Sequence, residues 1–339
     1  MRLFNIAALL VISYTGAHAE ITRSPQTWSA TTPFGKDADA REALSGAACV
    51  SGIDYCLAVN DEKKYAQFFD LHGSSLEPND VIRLLPDTVR GVEMNEIDAE
   101  AAAFVPAAEP GAKAYFYVTG SHGRSRNGAL RPSVFFVFRV AVDATSGRPS
   151  PEVERTALLR ETIKSHPELA GRAEQPLDQN GATIEGLSVL GSDLLFGFRA
   201  PCQDANAYVM RVPSDELFKE APPSAQVNKL PLGQDVGVRD SAAVKDGVLI
   251  LAGRSQDDAA ESNSACGERI GADPVRPLAS VWFWDGQNSP RALGKLPGVG
   301  AEDKAETLLL LEESEAAYRA LVMFDGAENG GPVEILIRK

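Results

Sequence analysis

Residues 184–200, Ile-Glu-Gly-Leu-Ser-Val-Leu-Gly-Ser-Asp-Leu-Leu-Phe-Gly-Phe-Arg-Ala, carry the pattern on which the fold turns. Two apolar runs flank Gly191-Ser192-Asp193, whose glycine supplies the positive φ of a tight hairpin turn. A carboxylate, Glu185, stands before the first run, and a guanidinium, Arg199, closes the second. The same order recurs elsewhere. Val238-Arg239-Asp240-Ser241-Ala242 leads into a hairpin that turns at Lys245-Asp246-Gly247 and ends in Ala252-Gly253-Arg254. Ala305-Glu306-Thr307-Leu308 opens a unit ending in Met323-Phe324-Asp325, and Ile97-Asp98-Ala99-Glu100-Ala101 opens one ending in Thr119-Gly120-Ser121-His122.

Each unit reads carboxylate, small residue, strand, turn, strand, polar residue. The acidic positions Glu100, Glu185, Asp240 and Glu306 lie 85, 55 and 66 residues apart. Such spacing suits one or two four-stranded blades, and a repeat of hairpins with polar residues at both ends points to a propeller more than to a sandwich. Further strand-like runs at Tyr115–Thr119, Ser133–Val142, Val281–Trp284 and Val333–Ile337 keep to this pattern. The expected fold is all-β: one β-propeller domain over residues 20–339, of five or six blades. One or two short helical excursions are expected. Residues 151–166 have good helix formers, early carboxylates and Pro167 as a stop, and Ser214 is placed to cap a helix over 214–220.

The first nineteen residues read as a cleavable signal peptide, with Arg2 ahead of an apolar run from Leu3 to Tyr14 and the small-residue motif Ala17-His18-Ala19. A periplasmic or secreted protein starting at Glu20 is expected, with no membrane span after cleavage. The formal net charge is −14, and the signal contains one arginine and no carboxylate. That excess of acid disfavours nucleic acid and anionic membrane as partners. Four cysteines in an exported chain favour disulfides. Cys49 and Cys56 bracket a short Gly-containing connection and are expected to pair. Cys202 and Cys266 follow corresponding strands, after Arg199 and Arg254, and form the second expected pair.

In order along the chain, Val59-Asn60-Asp61-Glu62, Asp98-Ala99-Glu100, Gly120-Ser121-His122-Gly123-Arg124, Ile184-Glu185-Gly186-Leu187, Gly197-Phe198-Arg199-Ala200-Pro201, Gly237-Val238-Arg239-Asp240 and Lys304-Ala305-Glu306 occur. This series resembles a bacterial domain-of-unknown-function family, the one numbered thirty-six sixteen. The resemblance implies a propeller related in kind to the esterase-like phytases, and it implies no established activity. The Glu-Gly pair that opens a unit in that family is Glu100-Ala101 and Glu306-Thr307 here.

Familiar catalytic signatures are missing from the sequence: there is no Gly-x-Ser-x-Gly, no His-Glu-x-x-His and no phosphate-binding P-loop. What remains is a mixed-charge set at the strand ends: Glu62, Glu100, His122, Arg124, Glu185, Arg199, Arg239, Asp240, Lys304 and Glu306. In a propeller these positions ring one mouth of the axial channel. Glu185 and Glu306 are the candidate catalytic bases, and the other members are candidate contacts for an anionic small molecule, which arginine recognises through its rigid fork of donors. The glycine-rich loop from Gly120 to Gly128 offers backbone N–H groups for the same purpose. Zinc-type ligand spacing is absent, and calcium is the one metal carried as a candidate cofactor. The rival reading is a non-catalytic binding or interaction module whose charged mouth is a salt-bridge network between blades.

Overall fold

The computed structural model describes residues 20–125, 127–143, 146–256, 279–300 and 302–339. The expected signal peptide and Cys266 lie outside them. Strand pairing is dictated by runs that are apolar on both faces, such as Leu194–Phe198, since these are stable only between two other layers. The result is a five-bladed β-propeller, and it settles the blade number that the spacing left open.

The innermost strands of the successive blades are Leu44–Cys49, Ala99–Val105, Thr183–Leu190, Val236–Val244 and Lys304–Glu313. Each is followed outward by further antiparallel strands, as in the third blade, Thr183–Leu190, Asp193–Gln203, Asn206–Pro213 and Gln226–Leu230. The fifth blade takes its outermost strand, Ile21–Thr27, from the other end of the chain, with Ile21 opposite Ile337 and Arg23 opposite Ile335. Ser29–Ala30 then joins the sheet of the first blade, so the N-terminal segment bridges the fifth and first blades and closes the ring.

Five hydrophobic clusters fill the spaces between neighbouring blades. Phe68, Phe116 and Phe138 pack between the first two, and Phe196, Phe198 and Tyr117 between the second and third. Alternation along one strand explains how a blade serves two interfaces: Leu194 and Phe196 face the second blade, while Leu195 faces the fourth. At the axis the inner strands touch in a closed circle, and small side chains are required there. A Cβ on Gly46 would lie 2.6 Å from the Ala101 Cα of the next blade.

The helical expectations are corrected in part. Pro149–Thr156 is the outer strand of the second blade, with Val153 opposite Val140, and only Leu158–Ser165 is helical. Ladder pairing to a buried strand outweighs helix propensity over the first half of the stretch. The helix buries Leu159 and Ile163 against Ile184 and Leu187 of the third blade. Residues 214–220 form turns rather than a helix, closed by an Asp215–Lys219 ion pair at 2.9 Å. Pro213, Pro222 and Pro223 bound this segment, leaving too few residues for a stable helix.

Candidate functional site

Every inner strand carries a β-bulge near its start. The ladder skips one residue, and the skipped residues are Ser45, Glu100, Glu185, Arg239 and Glu306. A bulge re-aims the extra side chain, and these five occupy equivalent places in the blades. The fourth blade therefore contributes Arg239 to this layer, where the repeat pattern had aligned Asp240. The first blade supplies Ser45, whose hydroxyl donates to the Ala43 carbonyl at 3.1 Å.

Three members form an ion-paired chain. Arg239 reaches Glu185 at 2.8 Å with one nitrogen and Glu306 with the other. Arg199 holds the second oxygen of Glu185 at 2.9 Å, and its Nε donates to the Ser255 carbonyl at 3.2 Å. Burial pushes the Glu306 carboxyl up to about 7, against the pull of Arg239, with Glu185 and Asp325 raising it further. Glu100 differs. It is half-buried, and among the described residues it has no hydrogen-bond or ion-pair partner. Burial and the neighbouring Glu185, Asp98, Glu306 and Asp61 hold its carboxyl well above the usual carboxylate range.

Around this layer lie groups that the sequence pattern did not single out. Asp61 has a buried Oδ1 with no hydrogen-bond partner, and burial together with Asp98 and Glu306 raises its carboxyl to about 8. Asp98 is paired with Arg131 at 2.8 Å and accepts a hydrogen bond from the Ser121 hydroxyl. Asp325 pairs with Lys304 at 2.7 Å. Asp61 and Asp98 stand inside the phrases Asn60-Asp61-Glu62 and Asp98-Ala99-Glu100, so their proximity in sequence to the chosen residues was the available signal.

The remaining predicted residues are elsewhere or otherwise engaged. The Asp240 carboxyl is buried between inner strands. It accepts the backbone N–H groups of Ser241 and Leu308, both at 2.7 Å, and that of Leu187. Its burial raises it well above the usual range, and it ties three blades together. Glu62 is exposed, its backbone N–H bonded to Asn60 Oδ1. Arg124 pairs with Glu174, which also takes Arg160 at 3.2 Å, in a network beside the helix rather than in the bulge layer.

His122 is fully buried in the left-handed region at φ 53°, with neither ring nitrogen hydrogen-bonded. Burial, then the nearby Arg160, pushes it down to about 3, so the imidazole is neutral. Backbone N–H groups of its loop are largely consumed within the protein: Gly120 donates to Phe136, Ser121 to Asp98, His122 to Val134 and Gly128 to Ser125. The loop thus does not present the open row of donors expected from its glycines.

Cys49 and Cys56 form the expected disulfide. Cys202 is disulfide-bonded rather than a free thiol, and Cys266, its expected partner, is outside the described residues. Among the described residues no three His, Cys, Asp or Glu side chains are gathered as a metal-ligating set.

The model of a protein family described as "Protein of unknown function (DUF3616)" matches residues 145–331. No curated protein sequence matches the chain. Similar solved structures include a GH43 β-1,3-galactosidase at 10% identity and TM-score 0.50, with 94% of this chain and 60% of that chain covered. An α-L-arabinofuranosidase from Podospora anserina is 9% identical at TM-score 0.48, with 92% and 97% covered. The aldose sugar dehydrogenase of Streptomyces coelicolor is 11% identical at TM-score 0.41, with 95% and 98% covered. At these identities the likeness concerns the fold alone.

Proposed function

We propose that this chain, which belongs to the DUF3616 family of proteins of unknown function, is a ligand-binding propeller that recognises a small polar molecule at its charged axial mouth. The observation that carries the reading is Glu100: a half-buried carboxyl on an inner strand, unpartnered within the described protein and held well above the usual carboxylate range. A protonated carboxyl both donates and accepts a hydrogen bond, which suits hydroxyl and carbonyl groups. Asp61 offers the same chemistry nearby.

Charge balance favours a neutral ligand. Glu185, Glu306, Asp98 and Asp325 are answered by Arg199, Arg239, Arg131 and Lys304. An anion has to compete with Glu185 or Glu306 for Arg239. The ion-paired chain then serves to hold the blades in register, and Glu100 and Asp61 serve recognition.

A second reading is favoured by one observation. Glu306 is poised at about 7, where a general base works best at neutral pH, beside the guanidinium of Arg239. On this reading the mouth accepts an anionic small molecule, such as a phosphoester, and hydrolyses it with Glu306 or Glu185 as base while Arg199 and Arg239 steady the charge.

Calorimetric titration with polyols and methyl glycosides, and with their phosphorylated or carboxylated counterparts, separates the two. The first reading expects neutral compounds to bind and Glu100→Gln to weaken them at least tenfold. Binding confined to the anionic compounds, or turnover of phosphomonoesters, phosphodiesters or lactones with or without calcium, favours the second.

Export to the periplasm or beyond is part of the proposal, supported by the Cys49–Cys56 disulfide, since such bonds persist in oxidising compartments. N-terminal sequencing of the cell-expressed protein is expected to begin at Glu20.

A further inference from the structure

Beyond the charged layer, the five inner strands enclose a cavity of about 350 Å³ that none of the bulged residues lines. Its wall is built from the residues that follow each bulge, among them Ala47, Ala103, Leu187, Ala242 and Leu309. Small-molecule pockets span roughly 300–1,000 Å³ and are mostly apolar with a few polar groups that fix orientation. The polar groups on this wall are the hydroxyls of Ser188 and Ser241, bonded to each other at 2.9 Å across the third and fourth blades.

Other polar lining side chains belong to the rim. Glu312 is engaged by Arg319 and Glu313 by Lys339, each at 2.7 Å, and Asp54 is exposed. Among the described residues no lysine or arginine lines the cavity. One side of the rim is the turn Ser51–Asp54, whose flanks are tied by the Cys49–Cys56 disulfide and by the Val50 N–H to Tyr55 carbonyl bond of 2.9 Å. The rim is therefore preformed, which lowers the ordering cost of binding.

We propose that this cavity is a second binding site, separate from the charged mouth, for a small uncharged molecule with an apolar body and a hydroxyl group. The body lies against the alanine and leucine wall, and the hydroxyl bonds to the Ser188–Ser241 pair. Carboxylates and phosphates are disfavoured because, among the described residues, the wall offers them no cation, and the nearby Arg319 and Lys339 are already paired with Glu312 and Glu313.

The test is titration of the purified protein with β-naphthol and with β-naphthoate, followed by fluorescence. Saturable binding of β-naphthol is expected, with β-naphthoate at least tenfold weaker. Ala242→Leu, which fills the cavity, should abolish β-naphthol binding, and the double variant Ser188→Ala, Ser241→Ala should weaken it about fivefold, as the loss of one net hydrogen bond implies. If Ala242→Leu loses its far-ultraviolet circular dichroism, Ala103→Val on another wall takes its place with the same expectation. Absence of β-naphthol binding, equal affinity for the two probes, or unchanged binding in a folded cavity-filling variant overturns the proposal.

Discussion

Arg239 forms an ion pair with Glu185 at 2.8 Å across the boundary between the fourth and third blades, with both side chains almost entirely withdrawn from solvent. The same guanidinium reaches Glu306 of the fifth blade. One side chain thus pairs with two buried carboxylates and links three blades. Removing it leaves buried Glu306 without its ion-pair partner. Arg239→Ala is expected to destabilise the fold by about 3–5 kcal/mol, the usual cost of breaking a buried pair on one side. Urea denaturation of the variant and the parent measures this. A change below about 1 kcal/mol would show that the chain of pairs does not hold the blades.

The raised carboxyls predict a pH dependence between about pH 4 and 8. In the unfolded chain Asp61 loses its proton near pH 4, whereas in the folded protein it keeps it to about 8. Between these values the folded state binds more protons, so stability falls as pH rises. Glu306, held to about 7, acts in the same direction. The denaturation midpoint should decline as pH rises from about 6.5 to 8, and Asp61→Asn should flatten that decline. An equally steep decline in the variant would remove Asp61 as its source.

His122 acts in the opposite direction on the acid side. Folded, it stays neutral to about 3, while the unfolded imidazole protonates near pH 6.5. Its contribution is present above pH 6.5 and is lost as pH falls toward 3. His122→Asn retains a residue that tolerates the left-handed φ of 53°. Relative to the parent, the variant should lose less stability between pH 6.5 and 4, whatever its starting value. Parallel stability curves for the two proteins would rule out buried His122 as the acid-sensitive group.

Gly237 precedes the bulge of the fourth blade, and a Cβ there would lie 2.0 Å from the Arg199 carbonyl oxygen. Backbone cannot move aside as a flexible side chain does. Gly237→Ala should therefore destabilise by about 1–3 kcal/mol or more, as overpacking does, and should disturb Arg199. Thermal denaturation checks the first effect. A fully stable variant would mean that the third and fourth blades separate more easily than their packing indicates.

The disulfide between Cys49 and Cys56 closes a short loop, with a sequence separation of 7. Replacing both by serine should cost about 2–3 kcal/mol from loop entropy alone. Non-reducing peptide mapping of the parent should recover this pair and the proposed Cys202–Cys266 pair. Free or crossed thiols would refute the assignment.

Strand content, hairpin turns and a repeated unit were readable from residues 184–200 and their counterparts, because a two-sided apolar strand and a Gly-containing turn are local properties. The charged positions in front of the inner strands were readable for the same reason, and Glu100, Glu185 and Glu306 do share one layer. Other features depended on contacts distant in sequence. Side chains alternate with period two, and a bulge shifts that alternation by one residue. Pattern alone therefore could not tell whether Arg239 or Asp240 faces the axis. The helix Leu158–Ser165 and the number of residues separating the strands Gly247–Arg254 and Ser280–Trp284 lengthen two of the intervals, which hid the number of blades.

Ring closure is the clearest case of a tertiary decision. Nothing in Ile21–Thr27 itself selects a partner, yet it pairs with Val333–Arg338 at the far end of the chain. The fate of charges was decided the same way. The sequence by itself determined that carboxylates and arginines would gather at strand ends. Only the assembled ring determined that Arg239 is consumed by two glutamates while Glu100 has no side-chain partner among the described residues. Pairing depends on which side chains come within a few ångströms across blade boundaries, and those distances exist only once all five blades have closed on one axis.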